Sequence, residues 1–219
     1  MRLGLLLAVL FSVPKSIYVN FKMLSVKQAI KFPMLVHYNT ELDSLSGHII
    51  IAGSPRPLSI KFGFTGSFGM GGVNYLSISG DLYFTGKASF ARGSKLICGS
   101  RATMYFGNNF SSNTNCIINA GNKVVFGDNC LLSWNISILD GDGHELLDLS
   151  HSYNCKHESS IIIGNHVWIC MNSMILKGTS VMDDSIIGAG SITSKNFNEP
   201  NLMIAGINKV IKKQINWIK

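Results

Sequence analysis

Between Ile163 and Ile192 an apolar residue recurs at every sixth position: Ile163, Ile169, Ile175, Val181 and Ile187. Four residues behind each stand Val167, Ser173, Thr179, Ser185 and Ser191, nearly all small, and Gly164, Gly178, Gly188 and Gly190 fall between them. A period of six is too long for the alternation of a strand and carries no 3.6-residue helical component. It fits a short strand followed by a turn. Each hexad then forms one flat face of a triangular prism, with the aliphatic residue inward, the small residue where the interior narrows, and glycine or asparagine at the turn. Three hexads close one coil, and coils stack through parallel hydrogen bonds about 4.7–4.9 Å apart. A looser version precedes it: Ile78, Phe84, Phe90 and Leu96, then Phe106, Ser112 and Ile118, then Phe126, Leu132 and Ile138, with the register slipping between groups. From about Gly47 to Ser194 this predicts an all-β solenoid of about eight coils. An antiparallel sandwich of short strands is the competing all-β reading, and five hexads in phase argue against it.

Two segments lie outside the period, giving an irregular or helical segment at 1–46, a solenoid at 47–199 with an inserted loop at 139–160, and a basic tail at 200–219. The first contains Pro14 and Pro33 and predicts short helices. Its apolar run from Leu3 to Val13 is shorter than the roughly 20 residues of a membrane span, and no small-x-small cleavage site follows it. Two readings stay open ahead of a cleaved signal: a segment docked on the body, or one lying on a membrane face with Lys15, Lys22, Lys27 and Lys31 towards the headgroups. At the other end Pro200 is expected to stop the last coil. Asn208 to Lys219 reads as a basic tail or short helix, with Ile207, Val210, Ile211 and Ile215 on one side.

The solenoid accounts for a composition that otherwise hints at a membrane. Of 219 residues 46% are hydrophobic and 14% charged, as inward and stacking positions of a narrow prism leave few sites for charges. The formal charge of +7 calls for an anionic partner. No basic helix, stacking aromatic motif or finger accompanies the lysines, so nucleic acid is set aside. Cys98, Cys116, Cys130, Cys155 and Cys170 are odd in number and show no C-x-x-C, which suits reduced thiols, and all but Cys155 fall in or beside hexads as small apolar filler.

The period breaks between Ile138 and Ile163. The inserted stretch holds Asp140, Asp142, His144, Glu145, Asp148, His151, His157 and Glu158, and a loop carried on a rigid scaffold is a natural place for chemistry. In one reading His144 is a general base that takes a proton from an attacking hydroxyl, with Asp142 or Glu145 orienting the ring. In the other, His144, His151 and His157 are metal ligands.

The segment from Leu139 to Ile211 carries DGDGH, then IIIGNHVWICMNSMILKGTSVMDDSIIGAGSITSK, then NLMIAGINKVIK. It resembles the hexapeptide acyltransferases of the left-handed parallel β-helix type, above all the bacterial O-acetyltransferases of surface polysaccharides and sugars. Weaker agreement reaches back to about Lys31. The resemblance implies a homotrimer with active sites between subunits and acetyl-CoA as donor bound along the coils; the scattered thiols suit a cytoplasmic location, and the unspecific histidine spacing argues against a metal. By position, His144 matches the family's general base and Trp168 the tryptophan near the donor and acceptor channel. Gly188, Ala189, Gly190 and Ser191 match the segment whose backbone contacts the pantetheine arm. Lys195 and Lys209 match basic positions near the nucleotide end, and Lys177 joins them on charge. Cys170 stands where glycine is usual, and Gly206-Ile207-Asn208-Lys209 replaces the usual G-N-P-A-K. The implied reaction is acetyl transfer to a sugar hydroxyl of a surface glycan or its precursor. The alternatives are transfer to a small free acceptor, such as an amino sugar, antibiotic or serine, and a non-catalytic scaffold.

Overall fold

The computed structural model describes residues 3–65, 72–144 and 159–218. The chain winds into a three-sided left-handed parallel β-helix. One coil shows the pattern. Leu131–Leu132 lies on face A, Ser137–Leu139 on face B and Ile161–Ile163 on face C, and the chain returns to face A at Trp168–Ile169, paired in parallel with Leu131–Leu132. Among the described residues face A has nine strands, the last antiparallel, and faces B and C have seven each.

Each face contributes a column of inward side chains. Ile163, Ile169, Ile175, Val181 and Ile187 are all buried, as are Val167, Ser173, Thr179, Ser185 and Ser191 at the corners. In the earlier coils the filler is aromatic. Phe84, Phe106 and Phe126 stack on face C with centroids 5.4 Å apart at each step, while Phe90 and Phe110 meet Phe106 edge-on from face A. The slipping register has a physical cause. Val181 sits over Ile163, 18 residues on, but Phe106 sits over Phe84 and Phe126 over Phe106 at spacings of 22 and 20. These wider coils have four-residue strands and room for rings.

A ladder of side chains holds the corner between faces C and A. The Asn108 side-chain carbonyl accepts the Lys87 N–H at 3.0 Å, Asp128 accepts from Asn108 at 2.6 Å, Asn165 from Asp128 at 2.8 Å, and Asp183 from Asn165 at 2.7 Å. Every step requires a glycine beside it: a Cβ on Gly127 would stand 2.6 Å from the Asn165 carbonyl oxygen. Asparagine also takes the left-handed turn positions, at Asn109, Asn129, Asn135 and Asn172, with φ from 57° to 62°.

The solenoid begins and ends beyond its expected limits. Its first strand is Met34–Val36, not near Gly47, and Pro200 does not stop it, because Leu202–Ala205 continues face A. The expected C-terminal tail or helix is instead a strand, Lys209–Lys213, folded back antiparallel on Leu202–Ala205. At the other end the expected short helices are one 21-residue helix, α1 (Leu3–Met23), followed by a single turn, α2 (Val26–Ala29).

Helix α1 lies along the free edge of Met34–Val36. Ser12, Ser16 and Asn20 are fully buried and face that edge at helical spacing. The Tyr38 N–H donates to Ser12 Oγ at 2.8 Å, the Val36 N–H to Ser16 Oγ at 2.9 Å and the Met34 N–H to Asn20 Oδ1 at 3.2 Å, while Asn20 Nδ2 donates back to the Met34 carbonyl at 2.8 Å. The match is metric. Four residues of helix rise about 6.0 Å and two residues of strand about 6.6 Å, so each helical step meets the next outward-facing backbone group. Lys15 Nζ extends the seam to the carbonyls of Tyr38 and Thr40. The exposed edge of a parallel sheet is thereby closed. Pro14 is tolerated because its ring is on the outer side and these bonds hold the helix on both sides of it. Asn20→Leu strands a buried N–H and a buried carbonyl, and should lower the unfolding free energy by about 1–3 kcal/mol, read from denaturant midpoints; an unchanged midpoint would show that the seam does not contribute.

Candidate active site

The inserted loop leaves the corner between faces B and C. Its stem is closed by the Ser159 N–H, which donates to the Asp140 carbonyl at 2.9 Å. The Asp140 side chain is fully buried and accepts three backbone N–H groups of the coil before it: Gly121 at 2.6 Å, Asn122 at 3.0 Å and Lys123 at 2.6 Å. This anchor explains how an insertion interrupts the chain without disturbing the stack. Ile138 still pairs with Ile175, and Val124 with Ile161. Asp140 was legible as one of many acids but not as the anchor, since its partners come from the preceding coil.

Beyond the anchor the chain turns at Gly143, φ 74°, and presents His144 exposed to solvent. Asp142 forms an ion pair with Lys177, which occupies the same corner one coil further on. The structure therefore joins two residues that the sequence placed in different roles, an orienting acid and a phosphate-binding cation. Glu145, His151 and His157 lie outside the described residues, as does Cys155. Among the described residues no group of three His, Cys, Asp or Glu is placed to hold a metal ion.

The remaining candidates sort by corner. Lys195 stacks on the B–C corner below Lys177, exposed, its Nζ 5.4 Å from the centre of the Phe197 ring. Gly188, Ala189, Gly190 and Ser191 form the corner between faces A and B. Ser191 Oγ donates to the Gly188 carbonyl at 2.5 Å, closing the turn from within, while Ala189 and Gly190 are exposed. Gly190 has φ 68° and nothing within 4 Å of the position of a Cβ, so the outer side of this turn is open to an approaching chain. Lys209 is exposed at the start of the last strand. Its neighbour Asn208 donates to Ser194 Oγ at 2.9 Å and accepts the Ser194 N–H at 2.8 Å, which brings Lys195 and Lys209 to the same end.

Trp168 is half-buried on face A, where its indole N–H donates to Ser133 Oγ at 3.0 Å. Face A is opposite the B–C corner, so a single chain holds Trp168 and His144 on different sides of the prism. Sequence reasoning missed a second aromatic there. Trp217, from the chain end, is buried, stacks on His166 with centroids 4.3 Å apart, lies 5.7 Å from Trp168, and donates its indole N–H to the His166 carbonyl. His166 in turn meets Asp184 at 2.8 Å. No periodicity marks Trp217, and its contact spans 51 residues.

Three of the cysteines, Cys98, Cys116 and Cys170, are held as thiols. Burial pushes the Cys98 and Cys170 thiols up to about 11 and Cys116 up to about 12, so all three are protonated at neutral pH. Maleimide treatment of the folded protein at pH 7.5, followed by peptide mass spectrometry, should leave these three unmodified; rapid labelling of any one would contradict its placement.

The model of the bacterial transferase hexapeptide family, of six repeats, matches residues 160–195. The galactoside O-acetyltransferase of Escherichia coli K12 is 34% identical over 115 residues, which cover 52% of this chain and 56% of that protein. The polysialic acid O-acetyltransferase of Escherichia coli O1:K1 is 31% identical over 144 residues, 65% of this chain and 42% of the other. The chain thus spans about half the length of the curated relatives it matches. Among solved structures, the polysialic acid O-acetyltransferase OatWY is 23% identical with a TM-score of 0.47, covering 83% of this chain and 88% of its own. A strict six-residue repeat, its three-faced parallel coils, the family model over residues 160–195 and the curated relatives point the same way: the chain is similar to the hexapeptide-repeat acetyltransferases.

Proposed function

We propose that the protein is an acetyl-CoA-dependent O-acetyltransferase acting on a sugar hydroxyl of a surface polysaccharide or its precursor, in the cytoplasm where the donor is made. The observation that carries this reading is the loop anchored by Asp140, which presents His144 at a corner of a rigid solenoid. In the reaction the imidazole of His144 takes the proton of an acceptor hydroxyl while the oxygen attacks the thioester carbonyl. Collapse of the tetrahedral intermediate breaks the C–S bond, and the proton passes to the departing CoA thiolate. The products are an acetyl ester and free CoA, with no acyl-enzyme.

Two features support the donor side, and a third bears on the loop. The turn at Gly188–Ser191 leaves its outer backbone open along the coils. Lys195 and Lys209 are exposed together at one end, where they suit phosphate groups. The Asp142–Lys177 pair fixes the loop beside the coil rather than leaving Lys177 for phosphate. The separation of Trp168 from His144 supports a homotrimer, since two copies set side by side can bring one chain's loop to its neighbour's face A. Exposed Met171 at the A–B corner and Met174 at the start of its face B strand give that edge the apolar outer surface a contact between copies needs.

The test is release of CoA thiol from acetyl-CoA with a panel of oligosaccharides, amino sugars and serine. Release that depends on an oligosaccharide is the expected result. Release with a small free acceptor alone would redirect the acceptor assignment, and the absence of both CoA binding and CoA release would sink the enzymatic reading.

A further inference from the structure

Helix α1 is amphipathic in the opposite sense to a helix packed on a soluble core. Its polar stripe, Ser12, Ser16 and Asn20, faces the protein and is spent on the edge of the first strand. Its apolar side faces out: Leu7, Leu10, Phe11, Ile17, Tyr18 and Phe21 are between 43% and 67% exposed. A helix of this kind ordinarily turns its apolar stripe to the core. Here the strand edge, which needs hydrogen bonds, claims the polar side, and the apolar face is left over the outer end of the solenoid.

Charge says what covers it. Residues 1–40 contain five basic side chains and no acidic one. Lys22 and Lys27 are exposed at the end of α1 and in α2. Exposed Lys22 and Lys27 beside an apolar helical face match the composition that binds anionic lipid surfaces. A second copy of the chain would bring the same positive charge to the contact.

We propose that the outer face of α1 docks on a lipid bilayer bearing anionic headgroups, with the helix in the interface plane. By length and composition Gly4–Met23 could cross a membrane. Crossing, however, would tear Ser12, Ser16 and Asn20 from the strand edge and leave three backbone N–H groups and a carbonyl without partners, whereas lying flat keeps every bond of the seam. The solenoid then stands on the bilayer by its N-terminal end. The His144 loop, which leaves the fifth strand of face B, sits about 20–30 Å from the surface at one coil per 4.7–4.9 Å plus the helix itself. The docking does not depend on the catalytic reading.

Flotation of the full chain with vesicles tests this, using phosphatidylcholine alone and phosphatidylcholine mixed with phosphatidylglycerol. The wild type should float with the mixed vesicles, detach on raising the salt, and be released by alkaline carbonate. Leu10→Gln/Phe11→Gln/Phe21→Gln should lose at least about tenfold in binding, and Lys22→Gln/Lys27→Gln about fivefold per lysine on mixed vesicles. Because all five side chains are exposed, both variants should keep the wild-type melting temperature. Absence of flotation, equal flotation of the triple variant, or resistance to carbonate would each overturn the proposal. So would a fall in oligomer mass on light scattering for a triple variant whose parent never floats, which would assign the face to a second copy. CoA release by the same samples on a water-soluble acceptor reports separately on the enzymatic reading.

Discussion

His144→Ala should reduce turnover by about 10²–10⁴-fold, the usual contribution of a positioned general base, while the melting temperature and the dissociation constant for acetyl-CoA stay at wild-type values. The separation of the three readouts follows from the geometry. His144 is exposed and lies past the anchor, so its removal opens no cavity in the stack. The open turn at Gly188–Ser191, where the donor is proposed to bind, belongs to a different corner from the imidazole. Steady-state kinetics with isothermal titration of acetyl-CoA decide it. A variant with near-normal kcat would remove His144 from the mechanism, and one that lost donor binding along with turnover would make it part of the donor site instead.

Phe106→Ala should cost about 3–5 kcal/mol of stability. Phe106 is fully buried and is the hub of the aromatic filler, with Phe84 and Phe126 each 5.4 Å away and Phe90 and Phe110 at 5.1 and 4.7 Å. The coil is fixed on both sides by parallel pairing to Phe84 and Phe126, so the walls cannot collapse into the space the ring leaves. Urea unfolding measures it. A loss under 1 kcal/mol would mean that the upper coils can repack, contrary to the rigid stacking described above.

The last coils were legible because each residue of the hexad has a fixed duty. Ile169 and Ile187 point inward from two-residue strands, Ser173 and Ser191 close the corners, and 18 residues make a turn of the solenoid without remainder. The coils of Phe84 and Phe106 hid the same architecture, since four-residue strands and spacings of 22 and 20 break any strict period. The ends were misread for another reason. Pro200 and the apolar run after Leu3 are local signals, but whether they end a coil or start a helix was settled by strand edges distant in sequence: face A for Leu202–Ala205, and Met34–Tyr38 for Ser12, Ser16 and Asn20. In the site the loop and His144 were visible as a break in the period. The pairing of Asp142 with Lys177 and the buried duty of Asp140 were not, because each joins residues one coil apart, and neighbours across coils leave no mark in local order.

The central claim is transfer of an acetyl group to a surface glycan, and mass spectrometry of that glycan tests it most directly. Glycan from cells carrying the active chain should show acetyl esters that alkaline treatment removes and that are missing from cells carrying His144→Ala. Identical glycan masses in the two strains would contradict the account.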